Sequence, residues 1–117
     1  MKNQSFPRRL GFALAGLAGA LRSERSFRFH VAAAVIVAVV LLWLRPAPLW
    51  WAVATLTVMS VLAAELVNTA VEHLADHLHP EQHPQIKVVK DCAAAAVLVT
   101  SVGALAVAAV FVYDVLL

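Results

Sequence analysis

Three long stretches of the chain are nearly free of charge, and polar residues collect between them and before the first. Phe29–Leu44 carries no formal charge and lies between Arg28 and Arg45. Ala47–Ala64 is the second stretch, and its helical pattern continues, now polar, to His77. Cys92–Tyr113 is the third and the most uniform. A helix that crosses a bilayer needs about 20 largely apolar residues, with a range of about 17–25. The pattern therefore predicts three transmembrane helices, over about residues 28–45, 47–77 and 85–114. The first is short, and snorkelling by the aliphatic stem of Arg28 would extend it. Arg45-Pro46-Ala47-Pro48 predicts a tight hairpin between the first two spans, and His79-Pro80-Glu81-Gln82-His83-Pro84 a loop between the second and third. Trp43, Trp50 and Trp51 flank the hairpin, as an interfacial aromatic belt would.

The segment before the first span has two readings. Leu10–Leu21 is an apolar run after Arg8 and Arg9 that ends near Ala18-Gly19-Ala20, like a signal peptide with its cleavage site. The same residues also suit an amphipathic helix lying on the membrane, over about residues 6–25. Leu10, Leu14, Leu17 and Leu21 fall within about 60° of one another on a helix. The opposite face carries Gly11, Ala15, Ala18 and Gly19, small residues that suit close contact with another helix.

Composition supports the membrane reading. The 117 residues make one domain, residues 1–117, of which 62% is hydrophobic and 14% charged. Soluble domains hold about 45–50% apolar and about 25% charged residues, so a water-soluble globule and a disordered chain are both excluded. The net charge of +2 follows topology. Lys2, Arg8, Arg9, Arg22, Arg25, Arg28, Lys87 and Lys90 fall on one side of the predicted spans and only Arg45 on the other. The positive side is inside, which predicts a cytoplasmic N-terminus and His/Pro loop and an outer C-terminus. No basic run with interleaved aromatics suggests nucleic acid, and a single cysteine, Cys92, forbids an intrachain disulfide.

The chemistry gathers at the polar end of the second span. Glu65, Asn68, Glu72 and Asp76 are spaced 3, 4 and 4 apart. On a helix they form one stripe about 80° wide and about 16 Å long. A carboxylate at the bilayer centre costs about 2.5–3.5 kcal/mol on insertion scales, so three on one face predict a protein or water-filled cleft. Their mutual repulsion calls for protons or a nearby cation. Two carboxylates beside a phosphate-bearing substrate would favour Mg²⁺, which takes oxygen ligands and keeps phosphate and water in its shell. Lys87, Lys90 and Asp91 open the third span just across the loop, and Lys90 could neutralise phosphate as a point charge. Ala93–Ala96 would let that helix approach the stripe closely.

Other readings compete. A polar stripe can be an interhelical hydrogen-bond seam in a non-catalytic scaffold. One deep carboxylate, Glu65, could serve a small proton-coupled exporter, although such proteins usually have four spans. His73 and His77, at i and i+4, could ligate zinc, but no Glu follows His73 as the metalloprotease signature requires. The pair points about 100° from the carboxylate stripe, which predicts solvated interfacial histidines. A Walker-type phosphate loop and a Ser/His/Asp arrangement are both missing from the sequence.

Glu65-Leu-Val-Asn68-Thr-Ala-Val-Glu72-His-Leu-Ala-Asp76 resembles the signature of the small prokaryotic diacylglycerol kinase and undecaprenol kinase family. So does Lys90-Asp91-Cys-Ala-Ala-Ala-Ala-Val-Leu after a loop of matching length, and so does Ala20-Leu-Arg-Ser-Glu24-Arg-Ser-Phe-Arg-Phe-His30 upstream. The resemblance covers nearly the whole chain. It implies an all-α membrane protein: a homotrimer of three-span subunits, each with an N-terminal amphipathic surface helix, in the bacterial cytoplasmic membrane. It also implies active sites shared between subunits and transfer of the γ-phosphate of MgATP to a lipid alcohol. By position, Glu65 would be the catalytic base, Glu24 and Glu72 would hold Mg²⁺, and Asn68 and Asp76 would position the site. Glu81, Gln82, His83, Lys90 and Asp91 would contact the nucleotide, with Phe12 where the family often has a Tyr. Phe27-Arg28-Phe29-His30 is more similar to the undecaprenol kinase branch than to the diacylglycerol branch, which tends to carry Gln and Glu there.

Overall fold

In the computed structural model, which describes residues 2–117, the chain folds into four helices: α1 (Phe6–Ser23), α2 (Arg25–Leu44), α3 (Pro48–Leu78) and α4 (Pro84–Phe111). A π-helical turn, Val112–Leu116, continues α4. Strands are absent among the described residues. α2, α3 and the α4–π continuation are long and apolar enough to cross a membrane. The molecule is an all-α membrane protein with three such helices and a shorter amphipathic one before them.

Local chemistry sets the boundaries. Pro48 and Pro84 stand in the first turns of α3 and α4, where a missing N–H costs nothing. His83 caps α4 by accepting the Gln85 backbone N–H on Nδ1 at 3.1 Å. α2 ends in a left-handed residue, Arg45 (φ 49°, ψ 57°), whose N–H returns to the Leu41 carbonyl. The hydroxyls of Thr55, Thr57 and Thr100 donate to carbonyls one turn back, so these three hydroxyls are satisfied within their own apolar helices.

The chain's own core is small. Ala20, Phe27, Leu41, Val61 and Ala75 are its buried apolar residues. Phe27, 2% exposed, is the one large side chain fully buried among the described residues. One buried Phe is worth about 1.5–3 kcal/mol, so most of the apolar surface must be covered by lipid or by other chains. α3 and α4 pack together most extensively, α2 lies against α3, and α1 touches α2 and α3 more lightly.

Four details go beyond the sequence reading or depart from it. The N-terminal helix does not run to residue 25: it stops at Ser23, and Glu24 is extended (φ −109°, ψ 108°), making a corner between α1 and α2. Arg28 turns its guanidinium to the end of α1. Its Nη1 donates to the Leu21 and Arg22 carbonyls at 3.0 and 2.9 Å, because the corner leaves the last carbonyls of α1 without helical partners. Trp50 is not simply a belt residue. Its Nε1 donates to Asp114 Oδ2 at 2.9 Å and its ring meets Phe111 edge-on, tying the start of α3 to the end of α4. The small face of α1 makes no close helix contact within the chain, since a Cβ added at Gly11, Gly16 or Gly19 would meet nothing within 4 Å.

Candidate active site

Glu65 is buried, 4% exposed, on the inner face of α3. Two residues of α2, one helical turn apart, meet its Oε1: the Ser26 hydroxyl donates at 2.7 Å, and His30 Nδ1 lies 2.8 Å away. The His30 contact is close but off hydrogen-bond alignment, so Nδ1 has no hydrogen-bond partner. His30 also lines an apolar groove of about 340 Å³ between α2, α3 and α4, walled by residues such as Val37, Val61 and Ala104. Glu65, one turn beyond the groove residues Val61 and Leu62 and beside His30, therefore stands just past the end of that groove, at the head of the polar stripe.

Along the stripe, each carboxylate has a different neighbour. Asn68 is half-buried, and its Oδ1 is buried without a hydrogen-bond partner. Glu72 is half-buried and takes part in none of the ion pairs among the described residues. Asp76 is exposed and accepts a hydrogen bond from Lys90 Nζ of α4. This contact crosses the loop and brings the two sequence motifs together. Lys87 Nζ instead pairs with Asp91 one turn along α4, at 2.6 Å.

Glu24 joins from the α1–α2 corner. Its Oε1 lies 3.2 Å from Nε2 of His73, the residue after Glu72. His73 is exposed, as the solvated reading expects, and the corner in addition brings a carboxylate to it although it is off the stripe. His77 has no such contact, and the described residues hold no group of three or more His, Cys, Asp or Glu able to bind a metal ion. The zinc reading thus finds no ligand set among the described residues.

The remaining predicted residues lie apart. Phe12 is 40% exposed on α1. Glu81 and Gln82 are exposed in the α3–α4 loop, where the Glu81 carbonyl contacts His79 Nδ1 at 2.9 Å. His83 is exposed and occupied in capping α4. Sequence reasoning missed Ser26, and it treated His30 only as a mark of branch. Their i, i+4 spacing at the polar start of an apolar helix was the available signal, but nothing in it showed that they face Glu65.

A buried carboxylate, held from a neighbouring helix at the end of a carboxylate stripe, within a bundle of three potential spans, defines a small polytopic membrane protein with a polar site. The family model for prokaryotic diacylglycerol kinase matches residues 11–112, a stretch that contains every candidate site residue. The chain belongs to that family. Undecaprenol kinase from Bacillus subtilis (strain 168) is 38% identical over 81 residues, which are 69% of this chain and 66% of that protein. Diacylglycerol kinase from Synechocystis sp. is 39% identical over 99 residues, 82% of this chain and 55% of that protein. The diacylglycerol kinase of Escherichia coli (strain K12) is 30% identical over 94 residues, 80% and 77% of the two chains. The first two matches span less than two thirds of those relatives' own length.

Proposed function

We propose that this protein is a lipid kinase that moves the γ-phosphate of MgATP to the hydroxyl of a membrane lipid alcohol, with undecaprenol the first candidate and diacylglycerol the second. The observation that carries the reading is the burial of Glu65 between the end of an apolar groove and a polar stripe. A base placed there can meet an amphiphile's hydroxyl while the hydrocarbon stays in apolar surroundings. Family membership and the two kinds of kinase among its relatives support the same chemistry.

In this mechanism Glu65 accepts the hydroxyl proton as the lipid oxygen attacks the γ-phosphorus. The new P–O bond forms as the bond to the β-phosphate's bridging oxygen breaks, and ADP leaves. Such transfer depends on positioning and charge neutralisation more than on covalent chemistry. Lys90, which pairs with Asp76, would meet phosphate oxygens. Glu72, which joins no ion pair among the described residues, and Glu24 offer two hard oxygen donors. That donor set fits Mg²⁺, which takes one or two carboxylates and fills its shell with phosphate and water. When bound, the ion would neutralise charge on the β- and γ-phosphates. We further propose that the protein is a homotrimer with shared sites in the bacterial cytoplasmic membrane, its N-terminus cytoplasmic, with α1 lying on the membrane surface. Phe12, Glu81, Gln82, His83 and Asp91 would complete the nucleotide site, and Asn68 would position it.

The test is labelled-phosphate transfer from MgATP in mixed micelles, with undecaprenol and diacylglycerol offered side by side and Glu72→Gln as the blank. Transfer to one lipid by the unmodified protein alone would establish the activity and the acceptor. A folded protein that phosphorylates neither would overturn the reading, and proton-driven export would be tested next.

A further inference from the structure

We infer that Ser26 and His30 form a positioning pair for Glu65, fixing one carboxylate oxygen so that the other is presented to the acceptor hydroxyl. The inference rests on the kinase reading and on Glu65 as its base. Three observations carry it. Both α2 residues converge on the same atom, Oε1, at 2.7 and 2.8 Å, and Oε2 has no hydrogen-bond partner among the described residues. Glu65 is only 4% exposed, so protein groups and not bulk solvent orient it. His30 Nδ1 is itself buried and unsatisfied although it lies at hydrogen-bonding distance from the carboxylate.

A buried polar nitrogen left unpaired costs about 1–3 kcal/mol. A small turn of the ring, with the proton on Nδ1, would let it donate to Oε1. Hydrogen bonds at catalytic groups are often misaligned before substrate binds and tighten in the reactive complex. His30 also lines the apolar groove, so an amphiphile occupying that groove would press on the ring that orients the base. The pair thus couples acceptor binding to the aim of Glu65. Neither residue touches the transferred phosphate in this scheme; both act through Glu65.

The experiment compares His30→Ala, His30→Gln and Ser26→Ala with the unmodified protein in micelles, each checked for intact helical content and oligomeric state. Mispositioning a reacting group by about 1 Å costs about 100-fold in rate, so His30→Ala should lose about that much in kcat. Its KM for MgATP should stay within about twofold, because the pair does not touch nucleotide. His30→Gln, whose amide can still donate, should recover part of the loss, and free imidazole should raise the rate of His30→Ala but not of Ser26→Ala. In a second arm, ¹⁵N-histidine spectra should show the His30 ring resonances moving on Glu65→Gln while those of His79 and His83 stay put. The inference is overturned by any of four results. These are a His30→Ala kcat within about threefold of the unmodified protein, a loss confined to the KM for MgATP, a loss that neither Gln nor imidazole relieves, or His30 resonances blind to Glu65→Gln. If the unmodified protein transfers no phosphate to any lipid, the kinase reading and the positioning role fall together. The spectra then still decide separately whether His30 holds Glu65.

Discussion

His73 Nε2 lies 3.2 Å from Glu24 Oε1, and this contact fastens the corner between α1 and α2 to the polar half of α3. It is partly solvated, with the imidazole 67% and the carboxylate 29% exposed. Such a pair contributes at most about 1 kcal/mol. His73→Ala should therefore leave global unfolding nearly unchanged while the amides around Ser23–Arg25 exchange up to about fivefold faster. Hydrogen exchange read by mass spectrometry checks this, and unchanged exchange at the corner would show that the contact holds nothing.

Glu72→Gln should reduce phosphate transfer by more than about 100-fold while leaving helical content and oligomeric state intact. The side chain is half-buried and joins no ion pair, so the substitution, which keeps its size, breaks no ion pair among the described residues. Full activity in a folded Glu72→Gln protein would remove it from the proposed site.

Chelation should stop transfer and added Mg²⁺ should restore it. The chain offers no group of three metal-binding side chains among its described residues. Mg²⁺ alone should therefore move the melting temperature little, whereas Mg²⁺ with a non-hydrolysable ATP analogue should raise it. Thermal-shift measurements with each component separately and together make the comparison. A large shift with Mg²⁺ alone would indicate a preformed metal site instead.

Lys90→Met should raise the KM for ATP by about tenfold, corresponding to about 1.4 kcal/mol for one lost charge-assisted contact. Asp76, 62% exposed, remains hydrated when Lys90 is gone, so stability should change by under about 1 kcal/mol. Steady-state kinetics with varied ATP at saturating lipid read the effect, and an unaltered KM would place Lys90 outside the nucleotide site.

Trp50→Phe should lower thermal stability by about 1 kcal/mol with transfer unaffected. The substitution keeps an aromatic ring against Phe111 but deletes the hydrogen bond to Asp114, at the opposite end of the stretch of α3 that leads to Glu65. Loss of activity at constant stability would show that the two ends of α3 are coupled.

Much of this molecule was legible along the chain because a bilayer imposes one-dimensional rules. A span must be long, apolar and internally hydrogen-bonded, so hydropathy alone locates α2, α3 and α4. The stripe Glu65, Asn68, Glu72 and Asp76 was equally legible, since helical periodicity places residues 3 and 4 apart on one face. What escaped were contacts between residues far apart in sequence. Ser26 and His30 reach Glu65 across 39 and 35 positions, and Trp50 reaches Asp114 across 64. Periodicity describes one helix at a time and does not say which face of its neighbour it meets.

By itself, the sequence determined the all-α membrane class, the three apolar helices, and the clustering of carboxylates on one face of α3, because these follow from hydropathy and the helical repeat. Only the tertiary structure decided which side chains answer those carboxylates. The extended Glu24 ends α1 at Ser23, so Arg28 caps the last carbonyls of α1, and Glu24 itself comes against His73. The packing of α2 on α3 sets Ser26 and His30 around the buried Glu65, and the packing of α4 sets Lys90 on Asp76. The reason is physical: a buried or crowded charge takes whatever partner the fold brings within a few ångströms, and that distance is a property of helix packing, not of spacing along the chain.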